Sequence, residues 1–185
     1  MEAFLVSTGL VALAEIGDKT QLLSLVLAAR YRKPWPIVLG ILAATLFNHA
    51  LAGAFGAWIS ELVGPVWISR GVGISFLVMA AWILVPDKLD EKGEMKRMTH
   101  GVFLTTVVLF FLAEMGDKTQ IATVVLGARY ESLVQVVLGT TFGMLLANVP
   151  VVFFGDAIAK RVSVTTVRRV TAVAFAALGI YALVR

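Results

Sequence analysis

The chain contains no cysteine, so it can form no disulfide, no thiolate metal site and no cysteine nucleophile. Charge is scarce too. Asp, Glu, Lys and Arg make up 15% of the 185 residues while 59% are hydrophobic, and the mean hydropathy is +0.89. A soluble domain carries about 25% charged residues to cover its outside. This chain has too few, which excludes a water-soluble globule. The period-2 alternation of a membrane barrel strand is also missing. The 16 glycines and 5 prolines have neither the density nor the period of collagen-like or disordered chains. Met1-Glu2-Ala3-Phe4 offers no basic leader and no small-residue cleavage pattern follows, so the first apolar run is expected to be retained.

What is present is a set of six apolar runs, near Phe4–Ala28, Ile37–Leu62, Val66–Val85, Val102–Leu126, Leu133–Ile158 and Val167–Val184. Each has roughly the 20 residues a helix needs to cross a hydrocarbon core. Only helices or closed barrels satisfy the backbone in lipid, so the expected fold is all-α with six transmembrane helices in a single domain. Trp35, Trp58, Trp67 and Trp82 fall near the ends of runs, at headgroup level. The polar stretch Pro86–His100 reads as a solvated connector.

The net charge of +4 is a matter of placement rather than of affinity for nucleic acid. Arg30, Arg32, Lys33, Lys88, Lys92, Lys96, Arg97, Lys160, Arg161, Arg168 and Arg169 follow runs one, three and five. The opposite side has Arg70, Arg129 and Arg185. The positive-inside rule makes the first group cytoplasmic and leaves both termini outside.

Leu13-Ala-Glu-Ile-Gly-Asp-Lys-Thr-Gln21 recurs as Leu112-Ala-Glu-Met-Gly-Asp-Lys-Thr-Gln120, an offset of 99 residues. The offset persists without a gap through Arg30-Tyr31 and Arg129-Tyr130, Gly40 and Gly139, Gly56 and Gly155, and Phe76 and Phe175. Residues 1–86 and 101–185 are therefore two copies of one unit, joined by the connector 87–100. An odd number of spans per unit reverses the direction of entry, which predicts two inverted-topology repeats of three helices. Secondary transporters place their substrate site at the midplane of such a repeat interface.

Glu15, Asp18, Glu114 and Asp117 lie near the middle of runs one and four. A carboxylate at that depth costs at least about 2.5–3.5 kcal/mol, so such groups mark ion pathways far more often than packing. A spacing of three puts each pair on one helix face, and the repeat can bring both pairs together. Hard oxygens of this kind suit manganese, calcium or magnesium. Thr20, Gln21, Thr119 and Gln120 are candidate auxiliary oxygens, and Gly17 and Gly116 permit either local unwinding or close helix approach. Lys19 and Lys118 are candidate internal partners, leaving four carboxylates and two ammonium groups at a formal −2. One divalent cation or two protons cancel that charge, and ligation needs the deprotonated form, so the same groups can exchange metal for protons. Deep in the second helix of each unit, Asn48, His49 and Asn148 are further candidates as ligands, proton relays or interhelical hydrogen-bond partners. Pro150 is expected to kink helix five, and Asp156 to be solvated or capping.

Glu-Ile-Gly-Asp-Lys-Thr (15–20) and Glu-Met-Gly-Asp-Lys-Thr (114–119) resemble the twin signature of uncharacterised protein family 0016, which includes Golgi calcium/manganese–proton antiporters and bacterial manganese exporters. The resemblance covers essentially the whole chain. It implies a secondary transporter and not an enzyme, exporting manganese or calcium in exchange for protons, with Glu15, Asp18, Glu114 and Asp117 as cation-binding residues. Lys19, Thr20, Lys118 and Thr119 carry over as motif members. It implies no cofactor, the ion and the lipid bilayer as partners, and leaves a homo-oligomer open; a compact chain without a targeting extension suits a prokaryotic inner membrane. Two other readings compete: an intramembrane metal-dependent hydrolase of a lipid pyrophosphate, which lacks an arginine clamp, and a passive channel, which fits poorly with so dense an anionic site.

Overall fold

The computed structural model describes residues 1–85, 101–155 and 164–184, and among these there are eight α-helices and no strand. The helices are α1 (Glu2–Glu15), α2 (Lys19–Tyr31), α3 (Pro34–Leu62), α4 (Pro65–Ile83), α5 (Val102–Glu114), α6 (Lys118–Arg129), α7 (Leu133–Phe154) and α8 (Val164–Val184). Of these, α3, α4, α7 and α8 are long and apolar enough to cross a membrane. The connector Pro86–His100 and Asp156 lie outside the described residues.

The expected single helices over Phe4–Ala28 and Val102–Leu126 are each interrupted, and the breaks coincide with the repeated motif. Glu15 ends α1, Ile16 turns extended, Gly17 takes φ +80°, and Asp18 starts α2 from an extended conformation. Glu114, Met115, Gly116 at φ +73° and Asp117 repeat that path between α5 and α6. Positive φ is the conformation that a Cβ disfavours, so glycine is what allows both breaks. Of the two roles open to these glycines, unwinding is realised at both, and close helix approach at Gly17, where a Cβ would lie 2.4 Å from Val164. Pro34 and Pro65 stand in the first turns of α3 and α4, where a missing N–H costs nothing. Pro150 lies inside α7 without ending it.

Packing follows the 99-residue offset. The helix α7 lies along α1 as α3 lies along α5, and α2 meets α7 as α6 meets α3. Gly139 abuts the Phe4 carbonyl and Ser7, and its equivalent Gly40 abuts the Phe103 carbonyl and Thr106. A pair of equivalents, Phe76 of α4 and Phe175 of α8, meets edge to face at 5.7 Å. The two halves are not identical, however. A Cβ on Gly127 would lie 2.4 Å from the Gly53 carbonyl, so α6 presses on α3 backbone to backbone. The equivalent positions in α2 and α7 hold Ala28 and Val152, which carry the side chains that Gly127 and Gly53 lack.

The burial pattern is inverted relative to a soluble protein. Trp35, Trp58, Trp67, Phe47, Phe55 and Phe154 are exposed, whereas Glu15, Asp18, Thr20, Asn48, His49, Glu114, Asp117, Lys118, Thr119 and Asn148 are buried. Water does not favour that exchange, and a hydrocarbon solvent does.

Candidate metal centre

Each break delivers a glutamate at the C-terminus of one half-helix and an aspartate at the N-terminus of the next. The Asp18 N–H donates to the Glu15 carbonyl at 3.0 Å, and the Asp117 N–H to that of Glu114 at 3.1 Å, which closes both turns identically. The side chain of Gln21 accepts the Gly17 N–H at 2.9 Å, and Gln120 accepts that of Gly116 at 2.7 Å. Their amide nitrogens reach across to the other repeat, to the Ala147 carbonyl and to Asn48 Oδ1. The glutamine oxygens are therefore engaged in holding the breaks. The Thr20 hydroxyl donates to Glu15 Oε2, and that of Thr119 to Glu114 Oε2 at 2.8 Å. These threonines aim the glutamates.

The second oxygen of each glutamate has no hydrogen-bond donor among the described residues, although both side chains are fully buried. One oxygen each of Glu15, Glu114 and Asp117 lies within 4.8 Å of the other two. Three carboxylates that close in a low-dielectric interior repel strongly unless a cation or protons sit among them. Their donor set is hard oxygen, the chemistry of manganese, calcium or magnesium.

Asp18 stands apart from this trio. It is buried, with Oδ1 3.8 Å from Lys118 Nζ, while Lys19 Nζ lies 2.9 Å from Asp117 Oδ1. Each lysine thus reaches the aspartate of the other motif rather than its own neighbour. The four expected carboxylates are brought into one region, three of them into direct contact range of one ion.

The remaining candidates form a polar layer on α3 and α7. Asn148 accepts the Ser24 hydroxyl at 2.8 Å and donates to the Met144 carbonyl at 3.1 Å. His49, its equivalent, is fully buried with neither ring nitrogen hydrogen-bonded among the described residues, and it lies outside the carboxylate cluster. Sequence reasoning missed Arg168 and Thr171. Arg168, assigned above to a connector, lies in the second turn of α8 and directs its guanidinium at the Gly17 carbonyl at 3.4 Å. The Thr171 hydroxyl donates to the Leu13 carbonyl at 3.0 Å. Together they tie α8 to the first break. The advance signal was a mismatch between the repeats: the matching positions are Ser69, whose hydroxyl donates to the Ala182 carbonyl instead, and the apolar Val72.

The family described as "Divalent cation/proton antiporter GDT1" matches residues 3–91 and 102–185. A Vibrio cholerae protein named "Putative manganese exporter" is 53% identical over 173 residues, covering 93% of this chain and 86% of its own. A GDT1-like protein of Synechocystis is 30% identical over 90% of this chain and 89% of its own, and GDT1-like protein 3 of Arabidopsis thaliana is 26% identical over 94% and 68%. No solved structure is significantly similar to this one.

Proposed function

We propose, from the premise that this chain belongs to the GDT1 family of divalent cation/proton antiporters, that it exchanges manganese for protons at the centre formed by Glu15, Glu114 and Asp117, with Asp18 beside them. As an antiporter it is an integral membrane transporter and not an enzyme, so the hydrolase reading falls. The observation that carries the proposal is the convergence of three buried carboxylates, two of them with an oxygen that nothing among the described residues satisfies. Such oxygens await a ligand that comes and goes. Manganese is preferred to calcium because a relative covering nearly the whole chain is named for manganese. Calcium remains the second substrate to test.

Each broken pair, α1–α2 and α5–α6, then counts as one span, giving six spans in two inverted-topology repeats. The equivalent packing of Gly40 and Gly139 and the meeting of Phe76 with Phe175 support that arrangement. Broken helices at the midplane are where transporters of this plan bind ions. The excess of basic residues after spans one, three and five supports a cytoplasmic side for those ends; in this reading the membrane is a prokaryotic inner membrane, both termini lie outside and the metal is exported.

Proton coupling follows from the carboxylates. Metal needs them ionised and protons neutralise them, so the two ligands exclude each other, and a proton gradient drives metal the other way. In proteoliposomes, an imposed pH gradient is expected to drive manganese flux that falls at least about tenfold in Glu15→Gln and Asp117→Asn, the scale on which a lost charged ligand acts. Normal flux in both variants would remove the site assignment.

A further inference from the structure

Lys19 and Lys118 hold equivalent places in the two motifs, yet their surroundings differ. The Lys118 side chain is only 5% exposed, and its Nζ lies 3.8 Å from Asp18 Oδ1 and 3.4 Å from the carbonyl of Val85, beyond the end of α4. The Lys19 side chain is 21% exposed and rests on Asp117 Oδ1 at 2.9 Å. Asp117 belongs to the carboxylate trio and Asp18 does not. Of the two lysines, then, Lys19 is the one that sits on an aspartate the ion would use, and it has room to leave.

We propose that the Lys19 ammonium is a tethered counter-ion that holds Asp117 while the centre is empty and yields it to the arriving metal, whereas Lys118 is a fixed brace between the repeats. This rests on the reading of Glu15, Glu114 and Asp117 as the ion centre. Ionised, those three carboxylates carry three negative charges, and one ammonium reduces them to two, the charge of one divalent ion. Asp18 and Lys118 form an ion pair of their own, outside the trio. A tethered ammonium competes at a high effective concentration, because its chain already holds it beside the site. It therefore weakens metal binding and assists release, and a carrier needs release as much as capture. Lys19 acts through Asp117 and not on the ion, so its role shows as a split between affinity and turnover.

The test uses full-length protein in detergent, with binding of Mn²⁺ read from the loss of the free-ion electron paramagnetic resonance signal, and turnover read in proteoliposomes. Lys19→Met and Lys19→Gln are expected to bind Mn²⁺ about threefold or more tightly than wild type, since a nearby positive charge is gone, while turning over more slowly. Lys19→Arg, which keeps the charge, is expected to bind as wild type does. Lys118→Met is expected to lose thermal stability with no gain in affinity. Unchanged or weaker binding in both Lys19 variants overturns the tether, and equal tightening in Lys118→Met overturns the division between the lysines. Glu114→Gln separates the levels. If it abolishes Mn²⁺ binding, the ion centre stands and the Lys19 variants judge the tether alone; if it leaves binding intact, centre and tether fall together.

Discussion

Gly17 and Gly116 have the same dihedral problem and different neighbours. Both hold positive φ, which an alanine would adopt at a cost of about 1–2 kcal/mol. A Cβ at Gly116 would meet open space, but one at Gly17 would lie 2.4 Å from Val164 of α8. Gly116→Ala is therefore expected to lose about 1–2 kcal/mol by thermal or denaturant unfolding in detergent, and Gly17→Ala distinctly more. Equal losses would mean that α8 does not sit on the first break. The convergence of the carboxylates was legible in the residues: the duplicated pairs were expected to meet, and one oxygen each of Glu15, Glu114 and Asp117 lies within 4.8 Å of the other two. Their detailed partition was not. Asp18 and Asp117 are identical in the repeat, and only the packing places one in the trio and the other against Lys118. Nor does adjacency in sequence reveal pairing, since Lys19 follows Asp18 but lies on Asp117.

Among the elements, the interrupted helices are what hydropathy missed. Phe4–Ala28 is one apolar run by composition, because the apolar stretches on either side outweigh the polar motif Glu15-Ile-Gly-Asp-Lys-Thr-Gln21 in the mean. The signal was the glycine between two carboxylates, which admits an unwound turn without requiring one. The close approach of α3 and α6 is likewise set by residue size. Gly127→Ala would drive a methyl group into the Gly53 backbone, where no side-chain rotation relieves it. It is expected to cost about 1–3 kcal/mol or more, seen as a lowered unfolding temperature and reduced flux. Ala28, at the equivalent place, already carries that methyl group, so Ala28→Gly is expected to cost no more than about 1 kcal/mol, the helix-propensity penalty. If Gly127→Ala were as stable as wild type, the backbone contact between α3 and α6 would be wrong.

For the whole molecule, the proposal is that the duplication assembles the site and that the basic residues set which way it faces. The absence of cysteine makes the orientation simple to measure, because any introduced thiol is the only one. Lys33→Cys, between α2 and α3, and Glu131→Cys, between α6 and α7, lie at opposite ends of the bundle. In right-side-out cells an impermeant maleimide is expected to label Glu131→Cys and to spare Lys33→Cys until the membrane is opened. The reverse pattern would invert the topology and the direction of export with it.

The central claim is that one set of buried carboxylates serves metal and proton in turn. It is tested most directly by recording Mn²⁺ entry and internal pH together in the same proteoliposomes, at several clamped membrane potentials. The charge count around Glu15, Glu114, Asp117 and Lys19 predicts about two protons moved against each Mn²⁺, at a rate insensitive to potential and abolished in Glu114→Gln. Manganese entry without proton movement, or flux that Glu114→Gln leaves unchanged, would contradict it.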